Sequence, residues 1–219
     1  TKADALGEAL NQARVEECGL NVPKVLEVSQ VDGKWALVTE YIQGKTLERL
    51  IAEEPEQKEA LLERMADLQV EMISKTCPLL SRLREELESR IAQAELPATT
   101  RCDLFFRLQE IPAEYQICHG DFNPSNIVLT REDELYLLDW SHASQGNAAA
   151  DAANAWLWFQ LAGDAQGAGR YLECFSQKTG IDPAMIQKWI PIVAAARSAE
   201  SGERERTFLL KLVNGEDYE

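Results

Sequence analysis

The sequence predicts an α+β fold, with a small N-terminal part made of a helix and a β-hairpin and a larger, mainly helical C-terminal part. Residues 3–18 have helical character and are followed by Gly19, the residue type that most often ends a helix. Two runs rich in strand-forming residues, 23–30 and 34–42, flank an Asp-Gly pair that is typical of a hairpin turn. Gly44 interrupts this pattern, and helical periodicity dominates beyond it.

The helical periodicity comes from apolar residues spaced three or four positions apart. Two such stripes predict buried helix faces: Leu61, Met65, Leu68 and Met72 form one, and Leu83, Leu87 and Ile91 form the other. The acidic cluster 53–59 predicts a solvated loop leading into a helix. A further helix is expected in 182–200, because it opens with Asp as cap and Pro in the first turn. We expect two domains, 1–44 and 45–219.

The composition limits the partners and the location of the protein. The chain of 219 residues carries a formal net charge of −15, so nucleic acid and anionic membranes are unfavourable partners. No stretch approaches the roughly 20 apolar residues that span a bilayer, and the N-terminal residues do not resemble a secretion signal. The five cysteines are scattered and form no Cys-x-x-Cys pair, which predicts reduced thiols. These features predict a cytoplasmic protein; they do not indicate its oligomeric state.

Short polar side chains are concentrated in the one β-rich segment of the helical part. Three apolar runs, 115–118, 126–129 and 135–140, predict strands separated by turns. The polar residues near their ends are His119, Asp121, Asn123, Asn126 and Asp139. Asp and Asn also form turns and cap helices. Several of them at fixed spacing beside apolar strands nevertheless favour a functional site, because rigid strands hold such loops in place.

The spacing of three of these residues matches what phosphoryl transfer requires. Asp121 and Asn126 are separated by four residues and Asp139 follows thirteen positions later, as in the catalytic loop and metal-binding Asp of kinases. The segments CHGDFNPSNIVL (118–129) and LYLLDW (135–140) resemble the catalytic core of the aminoglycoside phosphotransferase and choline kinase family. This resemblance implies a protein-kinase-like fold and an ATP-dependent kinase for small molecules.

The resemblance also implies a role for each residue. Asp121 would be the catalytic base, and Asn126 and Asp139 would bind Mg²⁺. His119 would brace the loop, and Asp151 would have a structural role at the start of a helix behind the site. Asp139 is followed by Trp-Ser rather than the Phe-Gly of protein kinases, which favours a small-molecule substrate.

The resemblance extends to the nucleotide site. The segment ALVTEYIQGKTL (36–47) resembles the end of the N-terminal lobe and the hinge, where the backbone of Glu40 and Ile42 would contact adenine. Glu8 stands where the family has the glutamate that pairs with a phosphate-binding lysine. The family places that lysine and a glycine-containing phosphate loop before this helix, and this chain begins almost on the helix. We therefore expect a truncated N-terminal lobe and poor activity from the chain as given.

Two functions remain open at this point. The first is an ATP- and Mg²⁺-dependent phosphotransferase that acts on a hydroxyl of an aminoglycoside-, choline- or amino-alcohol-like molecule. The second is a non-catalytic nucleotide-binding pseudokinase module. The intact Asp121, Asn126 and Asp139 favour the first, since a decayed kinase usually loses at least one of these three. The sequence does not predict which acceptor is used.

Overall fold

The computed structural model of the protein describes residues 1–215, which begin with a helix packed on a β-hairpin. Helix α1 spans Lys2–Glu17. Strands β1 (Val25–Val31) and β2 (Lys34–Thr39) pair antiparallel, as predicted. Gly19 follows α1 with a φ of 81°, the left-handed conformation expected for the residue that ends a helix.

The turn of the hairpin is formed by Asp32 and Gly33. Their φ values are 51° and 78°, and two successive positive values are the signature of a type I′ turn, whose twist matches the flanking strands. The ammonium group of Lys2 lies over the ring of Trp35, 4.8 Å from its centroid. This contact holds the start of α1 against the hairpin.

Helices make up most of the remaining described chain. They are α2 (Leu47–Glu53), α3 (Lys58–Ile73), α4 (Leu83–Gln93), α5 (Ala98–Glu110), α6 (Ala148–Leu161), α7 (Ala165–Thr179), α8 (Pro183–Ser198) and α9 (Glu203–Val213). Both predicted apolar stripes are confirmed, because their residues on α3 and α4 are buried. The main core forms where α3 packs on α7, α6 on α7 and α8, and α8 on α4 and α9.

Two small sheets position the loops between these helices. In the first, β6 (Ile127–Thr130) lies between β3 (Gly44–Thr46) and β7 (Leu135–Leu137), and all pairs are antiparallel. In the second, β8 (Ser144–Gly146) lies between β4 (Ser81–Arg82) and β5 (Gln116–Cys118). The predicted α+β fold class is therefore confirmed, with β6 and β7 as the short hairpin of the helical part.

Gly44 does more than interrupt the strand pattern, since it begins β3 and pairs with Thr130. A Cβ at this position would lie 2.3 Å from the carbonyl oxygen of Leu129, so only glycine lets the two strands approach. The chain thus joins the sheet of the larger part at residue 44. The division into two domains there stays a prediction.

The predicted strand over 135–140 is too long, because β7 ends at Leu137. The next backbone N–H, of Leu138, bonds to the carbonyl of Asn126 at 2.8 Å. Asp139 then has a φ of 59°, which no strand residue adopts. The alternation of apolar residues continues past the point where the ladder stops, and this is why the sequence pattern overextends the strand.

Two other predicted boundaries also differ from the structure. The strand expected over 34–42 ends at Thr39. The acidic cluster 53–59, predicted to be a loop, holds the last residue of α2, a 3₁₀ turn over Pro55–Gln57 and the start of α3. The backbone leaves helical geometry at Glu54, whose φ is −134° and ψ 68°, and Pro55 then supplies the φ of a first helical position for the 3₁₀ turn.

Within residues 1–215, none of the helices combines the length and the apolar character needed to cross a membrane. The five cysteines are unpaired, as predicted, and Cys77, Cys118 and Cys174 are buried. Burial, together with the neighbouring Cys77 thiol, raises the pKa of Cys18 to about 11. This thiol is therefore protonated at neutral pH and a poor nucleophile.

Candidate active site

The loop that joins β5 to β6 is held from beneath by a buried carboxylate. Asp151, in the first turn of α6, is 1% exposed. Its two oxygens accept the backbone N–H groups of His119 and Gly120, each at 2.7 Å. Burial raises the pKa of Asp151, and the two backbone hydrogen bonds oppose that shift. The structural role predicted for Asp151 thus has a specific form in the structure, which is to fix the backbone of this loop.

The His119 ring connects the loop to the end of β7. Its Nε2 lies 2.8 Å from the carbonyl oxygen of Leu138, and its Nδ1 accepts the backbone N–H of Asp121 at 3.2 Å. These partners require the neutral ring with its proton on Nε2. The ring is fully buried and packs on Trp140, with the centroids 4.7 Å apart. This geometry suits a bracing residue and leaves neither nitrogen for proton transfer.

Asp121 presents its carboxylate at the surface of the loop, where its side chain is 31% exposed. One oxygen, Oδ2, accepts the side-chain N–H of Asn126 at 3.1 Å. The other, Oδ1, accepts an N–H of Arg197 at 3.2 Å. Each carboxylate oxygen has two lone-pair sites, so the group is oriented by both partners and can still accept a proton.

Asn126 and Asn123 play different parts in the same loop. Asn126 also donates to the backbone carbonyl of Asp121 at 3.0 Å, which leaves its own amide oxygen as the atom able to bind a cation. Asn123 is buried and caps the 3₁₀ turn Pro124–Asn126, because its Oδ1 accepts the backbone N–H of Ser125 at 2.9 Å. Asn126 is therefore the amide available to a ligand, and Asn123 is a turn former.

Asp139 follows β7 in the left-handed conformation described above. Its Oδ1 accepts the Ser141 hydroxyl at 2.6 Å and the Ser141 backbone N–H at 3.3 Å, so the carboxylate is oriented from one side. Residues 1–215 contain no cluster of three His, Cys, Asp or Glu side chains able to hold a metal. A carboxylate and an amide oxygen are nevertheless a donor set suited to Mg²⁺, provided that phosphates and water supply the other ligands.

Helix α1 lies beside Asp139. Burial, and then the negative charge of Asp139, raise the pKa of Glu8 on this helix. One turn further, the side-chain amide of Asn11 donates to the carbonyl oxygen of Trp140 at 3.1 Å. Asn11, which the sequence patterns did not single out, thus ties α1 to the residue after Asp139 and keeps Glu8 at the site.

Of the two predicted hinge residues, Glu40 directly follows β2 and Ile42 lies two residues further along the chain. Glu40 donates its backbone N–H to the carbonyl of Lys24 at 2.9 Å. The backbone atom of Glu40 that a ligand could use is therefore its carbonyl oxygen. For Ile42, contact with adenine stays a prediction.

A polar cavity of about 230 Å³ opens beside Asp121. It is lined by Arg90, Gly120, Asp121, His142, Asn154, Arg197, Glu200, Ser201, Gly202 and Glu205. Burial, and then the charge of Arg90, lower the pKa of His142, so this ring is neutral at pH 7. With His142 neutral, three carboxylates face two guanidinium groups, and the lining carries one excess negative charge.

The arginines of this cavity are anchored by glutamates from the C-terminal helical region. Arg90 pairs with Glu200 at 3.2 Å, and Arg197 pairs with Glu205 at 2.7 Å. Neither pair was anticipated from the sequence. The only hint was an arginine in the last turn of each helix, Arg90 on α4 and Arg197 on α8, which is also the ordinary pattern at a helix terminus.

The sequence profile of the phosphotransferase enzyme family matches residues 1–184 of the chain. The chain belongs to this family. Its membership confirms the resemblance found from the catalytic motifs and makes the chain a phosphotransferase. No curated protein has significant sequence similarity to the chain.

Several solved structures share the fold at low sequence identity. The chain superposes on aminoglycoside-3'-phosphotransferase of type VIII with a TM-score of 0.65 and 20% identity, over 89% of this chain and 80% of that one. It superposes on choline kinase LicA from Streptococcus pneumoniae with a TM-score of 0.66 and 19% identity, over 98% of this chain and 81% of that one. It superposes on a thermostable mutant of aminoglycoside phosphotransferase APH(4)-Ia with a TM-score of 0.73 and 16% identity, over 95% of this chain and 82% of that one. The predicted protein-kinase-like fold is confirmed.

Proposed function

We propose that this phosphotransferase moves the γ-phosphoryl group of ATP to a hydroxyl of a small, amine-bearing molecule. The observation that carries the proposal is the position of Asp121. Its carboxylate is held by Asn126 on one side and Arg197 on the other, at the wall of a polar cavity. A hydroxyl bound in that cavity would meet an oriented proton acceptor.

Asp121 would orient the hydroxyl and receive its proton. The O–H bond breaks, and the hydroxyl oxygen forms a bond to the γ-phosphorus. The bond between that phosphorus and the bridging oxygen breaks, and its electron pair stays on ADP. Such reactions depend more on positioning than on a strong base, so a carboxylate paired with an arginine is adequate.

Asn126 and Asp139 would hold Mg²⁺ through their side-chain oxygens. When bound, Mg²⁺ would neutralise charge on the β- and γ-phosphates. Ser141 keeps the Asp139 carboxylate oriented, and Asn126 is fixed by its bonds to Asp121. Both ligands are thus positioned by the chain itself, as a metal site requires.

The nucleotide would lie between α1 and the loop after β2. The carbonyl of Glu40 and the backbone of Ile42 would contact adenine, and Glu8 would face the phosphate side, next to Asp139. Solved relatives of this fold include complexes with AMP and with AMP-PNP. Use of ATP and the unpaired cysteines both favour a reducing, cytoplasmic location.

The cavity restricts the acceptor. Its volume of about 230 Å³ is below the roughly 300 Å³ at which sites for drug-sized ligands begin, so a small molecule or one ring of a larger one would enter. The excess negative charge favours an ammonium group. Quaternary ammonium is usually bound by aromatic rings, and the described lining holds no Trp, Tyr or Phe. We therefore infer an acceptor with an N–H-bearing ammonium, which can donate to Glu200 or Glu205.

The test is phosphate transfer from Mg·ATP by the full-length protein to matched acceptors. Serinol carries an amino group in place of the central hydroxyl of glycerol, and choline is ethanolamine with three N-methyl groups; hygromycin B represents an aminoglycoside. We expect transfer to the primary amines to exceed transfer to glycerol and choline. Asp121→Asn should lower turnover by a factor of about 10² or more with nucleotide affinity nearly unchanged. Nucleotide binding with no transfer to any acceptor would instead favour the pseudokinase alternative.

A further inference from the structure

Arg197 contacts the proposed base from a distant part of the chain. It lies in the last turn of α8, 76 residues after Asp121, and donates from Nη1 to Oδ1 of that residue at 3.2 Å. Its Nε donates to Glu205 of α9 at 2.7 Å. The guanidinium is therefore held in a fixed orientation by one carboxylate while it touches the other.

The Arg197 guanidinium has more N–H donors than its partners in the described chain accept. Arginine carries five N–H bonds in a planar fork, and the residues of the described chain accept two of them. The Arg197 side chain is 25% exposed and lines the cavity beside Asp121. The remaining N–H groups can therefore bind an anionic group that comes within reach of Asp121.

The group that must come there during the reaction is the phosphoryl group in transfer. It moves to an acceptor oxygen that Asp121 contacts, and its three equatorial oxygens carry negative charge in the transition state. A guanidinium one hydrogen bond away from the base is near this charge. The planar fork of arginine also matches phosphoryl oxygens, which it can bind in pairs.

We propose that Arg197 is a catalytic residue, which donates N–H bonds to the transferring phosphoryl group from the acceptor side while it keeps Asp121 oriented. This inference rests on the proposed phosphotransferase function. Arg90, the other arginine of the cavity, is bonded to Glu200 and makes no hydrogen bond to Asp121 within residues 1–215. The structure thus assigns the role to Arg197 and not to Arg90.

The experiment measures phosphate release from Mg·ATP by the full-length protein, with water in place of the acceptor. Arg197→Ala should lower kcat by about 10² to 10³, the usual loss when one preorganised donor is removed, and leave the KM for ATP within about threefold. Guanidinium chloride up to about 50 mM, too dilute to unfold the protein, should restore part of the rate of Arg197→Ala. The restored rate should level off as the guanidinium concentration rises, as expected for binding at one site. Sodium chloride at the same concentration should not restore the rate.

The matched control is Arg206→Ala. Arg206 also joins the end of α8 to α9, where it donates to the backbone of Ser198 and Ser201, but it does not line the cavity. We expect its kcat to remain within about threefold of wild type. Should Arg197→Ala fail to fold, Arg197→Lys decides the matter: it keeps the charge without the fork, and its kcat should still fall about tenfold or more.

Two outcomes would overturn the inference. One is an Arg197 variant that folds and keeps wild-type kcat. The other is a slow Arg197→Ala that guanidinium does not accelerate, since this would reduce Arg197 to an ion pair that supports the fold. Wild-type protein that binds ATP but neither hydrolyses nor transfers it would instead contradict the proposed function itself, and so the two failures can be told apart.

Discussion

Asp151 accepts the backbone N–H of His119 at 2.7 Å, although 32 residues separate them along the chain. The same carboxylate accepts the N–H of Gly120, so a side chain at the start of α6 supplies two hydrogen bonds to the loop that carries Asp121. A negative charge is favourable in the first turn of a helix, which offsets part of the cost of burying it. Helix α6 is therefore the fixed support of the loop that carries Asp121.

Replacing Asp151 should loosen this loop. In Asp151→Asn one acceptor oxygen becomes an N–H₂ group that faces a backbone N–H, so at least one buried donor loses its partner. We expect the free energy of unfolding to fall by about 1–3 kcal/mol, with a larger relative loss in turnover than in ATP affinity. Urea unfolding and steady-state kinetics measure the two effects.

The control for this variant is Asp182→Asn. Asp182 caps α8 by accepting the N–H of Ala184 at 2.8 Å, and asparagine caps helices about equally well. Its free energy of unfolding should change by a few tenths of a kcal/mol at most. Equal losses in the two variants would show that the contacts of Asp151 with the loop have no special value.

Gly120 offers a second test of loop geometry. Its φ is 85°, and a Cβ would lie 2.5 Å from the carbonyl oxygen of His142. Gly163 has a similar φ of 75° with nothing within 4 Å of a Cβ, so the pair separates backbone strain from a steric clash. Gly163→Ala should cost about 1–2 kcal/mol, and Gly120→Ala should cost more and also lower turnover.

The comparison of unfolding free energies and turnover is decisive for Gly120. If the two alanine variants lose the same stability and Gly120→Ala keeps its turnover, the loop can move away from His142 at no cost. The close approach of the two segments would then have no part in placing Asp121.

The loop that carries Asp121 was predictable because the sequence information for it is local. Asp121 and Asn126 lie on one loop between two apolar strands, so their spacing along the chain translates directly into the hydrogen bond between their side chains. The same holds for the Asp-Gly hairpin turn and for the buried stripes of α3 and α4. In each case a short segment carries the whole signal.

The rest of the site depends on long-range contacts that leave no local pattern. Arg197 reaches Asp121 only because α8 packs on α6 and α9, and Asn11 reaches Trp140 across 129 residues. Charged residues near helix ends are common for reasons unrelated to function. Their position beside the candidate site therefore emerges only when the helices are assembled.

Magnesium binding should depend on Asp139 and on its orientation. Asp139→Asn should weaken Mg²⁺-dependent ADP binding by about tenfold or more, because the one carboxylate of the proposed metal site is lost, and Ser141→Ala should weaken it less. ADP binding without Mg²⁺ should change little. Calorimetric titration in the presence and absence of Mg²⁺ separates these quantities.

Asp133→Asn is the matched control for magnesium. Asp133 lies in the turn of the same β6–β7 hairpin and also has a positive φ, of 68°, but its carboxylate pairs with Arg64. Mg²⁺-dependent binding should be unchanged in this variant. A similar loss in both variants, or no loss in Asp139→Asn, would remove Asp139 from the metal site.

The proximity of Glu8 and Asp139 can be tested through the pKa of Glu8. Burial is the larger cause of its raised pKa and the charge of Asp139 the smaller one. Asp139→Asn removes only the second cause, so the pKa of Glu8 should fall but stay above its ordinary value. A ¹³C NMR titration of the Glu8 carboxyl measures this shift, and Asp133→Asn should leave the pKa unchanged.

The same raised pKa has a consequence for stability. The folded protein binds the proton of Glu8 more tightly than the unfolded chain does. The contribution of this proton to the free energy of unfolding is therefore fully present at pH values below the ordinary glutamate pKa. It is lost as the pH rises through the higher, folded-state pKa. Glu8→Gln does not titrate, and its free energy of unfolding relative to wild type should therefore be higher at pH ~7 than at pH ~4. Urea unfolding at the two pH values decides, and an unchanged difference would mean that Glu8 does not face Asp139 in a buried setting.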